Sequence, residues 1–336
     1  MISPNSEPIL YANLAPPYRW INPRDERNAM TTPTVIRVGE HVAQALEART
    51  PVVALESTIF THGLPRPRNV EVALEGEEII RAAGAVPATI GVHRGVPVVG
   101  LSPEQIRELG ADDNADKASI RELALGAVTK KNAGTTIAAT AFLARAAGID
   151  VFATGGLGGV HHGADKSFDE SADLPAMART SIVLISSGAK AILDIPATLE
   201  RFETLSVPVV GYRTNRYPGF YVVDSGYTVN ARVDSPDDIA TVLLTQRALG
   251  VPSGVLVANP VPDAEQLNPS ELDGVIEAAW AAAEKDGIGG QATTPYLLDF
   301  IRRATDGRSL DANVALYRNN VRLACQVATA LVNRGA

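Results

Sequence analysis

From Val52 onward, short β-branched runs alternate with longer stretches in which apolar residues recur every three or four positions. The pattern predicts strands at 52–55, 88–92 and 151–153, with 96–100 pairing back onto the second of these. It predicts further strands at 182–185, 208–212, 220–223 and 255–258. Between them, the 3.6-residue period predicts helices over 70–83, with Asn69 as cap, and over 135–147, ended by Gly148. Two more are predicted, from Ala189 to about Leu205 and over 239–249. The last third is helical: Leu272, Val275, Ile276, Ala279 and Ala283 make one apolar stripe, and Val314, Tyr317, Val321, Cys325, Ala328 and Val332 make another. Alternation of this kind is the signature of an α/β fold, a central sheet covered by helices. Residues 1–33, rich in Pro, Asn and Arg, carry no such period. They read as a disordered lead-in to a single α/β catalytic domain over 34–335, with Met30 a candidate start that the intact mass of the native product would test.

Composition narrows the partners. At 46% hydrophobic and 20% charged residues the chain can bury a core, and its net charge of −8 argues against a nucleic-acid binder. A phosphorylated small molecule is not excluded, since a few placed cations bind one phosphate. The single cysteine, Cys325, excludes an internal disulfide or thiolate cluster and fits a reducing cytoplasm. No apolar run approaches the roughly 18 residues that span a bilayer.

Unusual residues collect where strands end, the place where open α/β sheets hold ligands. Of 30 basic residues only six are lysines, at 117, 130, 131, 166, 190 and 285, so a lysine near a strand end stands out. Lys190 follows the strand 182–185 and the turn Ser186-Ser187-Gly188, in the predicted first turn of the next helix. It reads either as a surface lysine or as an amine whose pKa the helix end and an apolar surround lower, making a Schiff-base nucleophile. Glu56, just past the strand 52–55, is a general acid or base, or else a cap or loop ion pair. The segment from Thr154 to Gly163 holds Gly155, Gly156, Gly158 and Gly159, whose backbone can approach an anion or simply turn; His161 and His162 end it. The run Phe168-Asp169-Glu170-Ser171-Ala172-Asp173-Leu174 is either an oxygen-rich cation site or an acidic helix start. Asn313 lies early in the terminal helix, as a local cap or as an amide for a ligand.

In this order, these segments resemble the pseudouridine-5'-phosphate glycosidases of the indigoidine-synthase-A-like family. The matching stretches are VVALESTIFTHGLP at 52–65, GAVPATIGV at 84–92, KNAGTTIAAT at 131–140 and GIDVFATGGLGGVHHGA at 148–164. They continue with SFDESADL at 167–174, SSGAKAILDIPATLE at 186–200 and VLVANPVP at 255–262. The resemblance implies Glu56 as catalytic acid and Lys190 as covalent nucleophile. It implies Lys117, Ile137, Thr154, His161, Ser171, Ala172, Asp173 and Asn313 as substrate-binding positions, Asp169 as the ligand of one divalent ion, usually Mn2+, and a homotrimer whose subunits have a three-layer α/β/α core with a central mixed sheet covered by helices. The substrate implied is a small phosphorylated C-nucleoside, with no nucleic acid or membrane as partner. Lys117 and the glycine segment are expected to hold its phosphate. Two positions depart from the family pattern: Glu170 stands where an aliphatic residue is expected, and no Pro-His precedes Arg232. They leave the accepted base open, and with it a related activity, a C-ribosyl synthase joining ribose 5-phosphate to an aromatic aglycone. A non-catalytic phosphosugar-binding regulator would need neither Lys190 nor Glu56.

Overall fold

Strands with no polar alternation must be covered on both faces, and the central ones here are apolar and buried throughout: Val52–Leu55, Val183–Ser186 and Val255–Ala258. The computed structural model describes residues 35–289 and 293–335; the 1–33 segment and Met30 lie outside the described residues. The strands are β1 (Arg37–Val38), β2 (Val52–Leu55), β3 (Val86–His93), β4 (Val96–Val99), β5 (Asp116–Ala118), β6 (Ala133–Thr135), β7 (Val151–Ala153), β8 (Val183–Ser186), β9 (Val209–Tyr212), β10 (Ala231–Val233) and β11 (Val255–Ala258). They form one sheet in the order β1-β4-β3-β2-β7-β8-β11-β9-β10, with β6 paired to β3 and β5 to β6. Pairing is parallel except where β3 meets β4 and β6, so the sheet is mixed, as predicted.

The helices are α1 (Glu40–Glu47), α2 (Arg68–Ala82), α3 (Pro103–Ala111), α4 (Ile120–Thr129), α5 (Ile137–Ala147), α6 (Ala164–Ser167), α7 (Asp173–Met177), α8 (Ile195–Thr204), α9 (Pro236–Ala248), α10 (Pro269–Lys285), α11 (Thr293–Ala304) and α12 (Arg308–Asn333). α12 packs over β2, β7 and β8 with α2 and α9 beside it, while α5 packs against β2, β3 and β4. Both predicted stripes of the last third face inward: Leu272, Ala279 and Ala283 of α10, and Val314, Tyr317, Val321, Cys325 and Ala328 of α12, are buried.

Three local expectations are overturned. Asn69 is not a cap: α2 begins at Arg68, and the Asn69 amide is buried, donating to the carbonyls of Phe60 at 2.7 Å and Gly110 at 2.9 Å. Residues 220–223 form no strand. Phe220 has φ 65°, and Gly219 N–H closes a turn onto Val222 O at 3.0 Å, so their apolar side chains are buried in a loop instead of pairing. The helix predicted from Ala189 begins only at Ile195. Asp194 caps it, accepting from Ala197 N–H at 3.0 Å, and Pro196 fits its first turn. Lys190 therefore sits in the turn before α8, and the helix end expected to act on its amine is not there.

Candidate active site

Parallel register aligns the strand ends. Leu55 pairs with Ala153, Ala153 with Ile185 and Ile185 with Val257, so the chain leaves the sheet at Glu56, Thr154 and Ser186 side by side. There a cavity of about 480 Å³ opens, lined by Glu56, Lys117, Ile137, His161, Asp169, Ser171, Ala172, Asp173 and Lys190. Segments more than 130 residues apart in sequence thus share one wall, as Glu56 and Lys190 do. Of the expected substrate-binding positions, two lie elsewhere. Thr154 is fully buried behind Glu56, its hydroxyl donating to Glu56 Oε1. Asn313 lines a separate cavity of about 210 Å³ with His62, Tyr221 and Arg302, and its Oδ1 approaches Gly155.

Burial pushes the Glu56 carboxyl above the usual carboxylate range; the positive charge of Lys190 and the hydroxyls of Thr154 and Thr58 pull against that, and Asp173 adds to it. The acid is thereby inclined to keep its proton. Burial, with repulsion from Lys190, draws the Lys117 amine down, against the attraction of Asp173 and Glu56. Burial likewise lowers His161, against the nearby Asp169 carboxylate. Asp173 is buried and held by two backbone donors, Ala138 N–H of α5 and Gly158 N–H, each at 2.9 Å. An acid, two amines and a fixed carboxylate at one mouth are the parts of proton transfer and imine chemistry.

The glycine segment is packed closely against its neighbours, and part of its backbone is already engaged. Its N–H groups at 157, 158, 160 and 161 already donate to Gly188 O, Asp173 Oδ2, Thr198 Oγ1 and Asp169 O. Side chains crowd its glycines instead: a Cβ at 156 would lie 2.5 Å from the Phe220 ring, at 158 2.2 Å from Ser171 Oγ, and at 159 2.4 Å from Thr198 Oγ1. The segment is a mould that sets Lys190. Lys190 N–H donates to Leu157 O at 3.0 Å, and Ala189 N–H donates to the buried Tyr217 hydroxyl at 2.8 Å. Gly188 makes the turn at φ 84° against the Pro218 carbonyl.

Arg121, Ser119, Thr136 and Thr294 also line the cavity and were not singled out in the sequence, being ordinary polar residues in segments without a strand-end signal. Glu170 turns toward α8, where it accepts from Arg201 at 2.7 Å, which accounts for a carboxylate at that family position. The other departure, around Tyr227–Arg232, lies by β10, where Tyr227–Ala231 line a cavity that contains neither Glu56 nor Lys190.

Among the described residues no three His, Cys, Asp or Glu side chains converge as a metal cage. Asp169 is an exposed carboxylate on a polar wall. Such a donor set fits a hard cation that keeps most of its waters, and does not fit a closed zinc-type site.

The family model for indigoidine synthase A-like proteins matches residues 41–330. The chain belongs to that family. It is 57% identical over 294 residues to the pseudouridine-5'-phosphate glycosidase of Saccharopolyspora erythraea, covering 88% of this chain and 97% of that one. It is 50% identical over 302 residues to the enzyme of the same name from Salinispora tropica, covering 90% and 93%. Among solved structures it resembles the prealnumycin C-glycosynthase AlnA in complex with ribulose 5-phosphate, with TM-score 0.83, 34% identity and coverage of 90% and 99%. An indigoidine synthase A-like protein from Thermotoga maritima gives TM-score 0.81 and 36% identity, covering 89% and 97%. The three-layer α/β fold read from the sequence is the fold of these neighbours.

Proposed function

We propose that this protein cleaves the C-glycosidic bond of pseudouridine 5'-phosphate, taking up one water and giving uracil and ribose 5-phosphate. The observation that carries the reading is the meeting of Glu56 and Lys190 on one cavity wall, with burial favouring the protonated acid. A ring carbon is a poor leaving group, so the carboxylate pair of ordinary glycosidases does not suffice. The ribose ring opens as the Lys190 nitrogen bonds to C1': the C1'–O4' bond breaks, its electrons stay with O4', and a proton passes from the nitrogen to O4'. Glu56 delivers a proton to the base carbon; the C1'–C5 bond breaks, its electrons going to the protonated base while the nitrogen lone pair forms the imine. Water then adds to the imine carbon, and ribose 5-phosphate leaves with Lys190 restored. Lys117, Ser171, Ala172, Asp173 and His161 hold the opened sugar phosphate, and Asn313 contributes from the separate cavity it lines. Asp169 would hold a divalent ion, Mn2+, which would supply positive charge to offset a phosphate dianion. The chain assembles as a trimer, which light scattering would read.

The test is incubation with pseudouridine 5'-phosphate and Mn2+, following uracil. Borohydride is expected to trap the sugar phosphate on the Lys190 peptide. Lys190→Arg is expected to bind substrate yet lose turnover by about 10³-fold or more, because a guanidinium does not deprotonate. Normal rates in that variant, with no adduct, would refute the assignment; full wild-type activity in chelator would refute the metal. The likeness to AlnA favours a second reading, bond formation between ribose 5-phosphate and an aromatic aglycone. Failure to release uracil, together with C–C coupling to such an aglycone, would select it.

A further inference from the structure

We infer that Asn320, on α12, is a positioning residue for the reaction: its amide ties together the ends of β7, β8 and β11, and so holds Thr154 against Glu56 and the loop that carries Lys190. The inference rests on the roles proposed above for Glu56 and Lys190. Asn320 is fully buried within a helix, where asparagine is a poor former, so its place needs a reason beyond the helix. Every polar atom of its amide is engaged. Nδ2 donates to Thr154 O at 2.7 Å, with longer contacts to Gly155 O at 3.3 Å and Ser187 Oγ at 3.2 Å. Oδ1 accepts from Asn259 Nδ2 at 2.9 Å.

Register is already secured without it. Thr154 N–H donates to Ile185 O, Ser187 N–H to Gly155 O and Asn259 N–H to Ser186 O, all at 2.8–3.0 Å. What the amide adds is a fixed Thr154 peptide, and with it a fixed Thr154 hydroxyl. That hydroxyl donates to Glu56 Oε1, so the proton Glu56 carries belongs on its other oxygen. The contact to Ser187 anchors the start of the Lys190 turn from the same point. Asn320 thus sets the geometry of acid and nucleophile together while touching neither.

The groups whose charge or hydrogen bonds act on Glu56 are Lys190, Asp173, Thr154 and Thr58, with Lys117 and Tyr317 also within its influence. The test is a titration of 13C-labelled glutamate carboxyls by NMR, with Glu56 assigned by Glu56→Gln. Asn320→Ala is expected to move the Glu56 midpoint upward, because the Thr154 hydroxyl that holds it down is released. It is also expected to lower kcat by about tenfold or more with KM little changed. In a Thr154→Val background the same substitution is expected to move the midpoint no further. Asn320→Ser, whose hydroxyl is too short to bridge the strand ends, serves if the alanine variant does not fold. Variants that fold with lower Tm, yet keep the wild-type midpoint and kcat, would overturn the inference and leave Asn320 a purely structural residue. The titration needs no substrate, so it stands even if wild-type protein fails to cleave pseudouridine 5'-phosphate, a result that would instead refute the proposed function.

Discussion

Glu56 carries a cost that its neighbours only partly offset, and this makes it testable apart from catalysis. Burial raises its folded-state pKa, so its contribution to stability is fully present below the unfolded carboxylate range and is lost as pH rises through the raised folded value. Glu56→Gln removes that loss. The variant is expected to melt above wild type at pH 8, with the margin shrinking toward pH 4, while turnover falls by about 10²–10⁴-fold. Thermal melts across that range check the sign; a margin that does not grow with pH would show the carboxyl to be unstrained. Both Glu56 and Lys190 were legible in the sequence as polar residues at the ends of apolar runs, the position where a parallel sheet opens. The placement of the Lys190 amine is not legible there. Apolar spacing suggests a helix from Ala189, but Asp194 and Pro196 start it later, and the amine is placed by a turn locked between Leu157 and Tyr217.

At the scale of elements, the glycine segment shows how one composition supports two physical readings. Glycines allow backbone to approach an anion, and they equally allow side chains to approach backbone. Only the neighbours distinguish these, and here Phe220, Ser171 and Thr198 occupy the space. Gly158→Ala is therefore expected to cost about 1–3 kcal/mol by overpacking. It should also displace Ser171 and Asp173, whose side chains lie 2.2 and 2.8 Å from the new methyl position, and so raise KM. Chemical denaturation and steady-state kinetics together check this. A phosphate cradle would give a different result, with KM rising and stability nearly unchanged. The run at 220–223 is a related case. Its apolar residues satisfied the strand pattern, but pattern reports burial, not pairing, and Phe220 in the left-handed region cannot continue a ladder.

Taken whole, the molecule has a net charge of −8 and must bind a dianion through local donors, against long-range repulsion. Among the described residues, Lys117 and Arg121 are the lysine and arginine of the cavity wall besides Lys190. Lys117→Met is expected to raise KM by about tenfold with a smaller change in kcat, and unphosphorylated pseudouridine to turn over at under about 1% of the phosphorylated rate. Equal rates on the two substrates would remove the phosphate from the argument. What the sequence determined by itself was set by burial and by local chemistry. Unbroken apolar runs fixed a covered sheet, the stripes at 272–283 and 314–332 fixed the helices that cover it, and long motifs in a constant order marked the family. What only the tertiary structure decided depends on contacts between segments remote in sequence. Thr154 lies behind Glu56, Asn313 borders a second cavity, Glu170 on the cavity wall is paired with Arg201, and Asn320 joins three strand ends. No spacing along the chain encodes such distances, because they follow from the parallel register of β2, β7, β8 and β11 and from the helix laid across them.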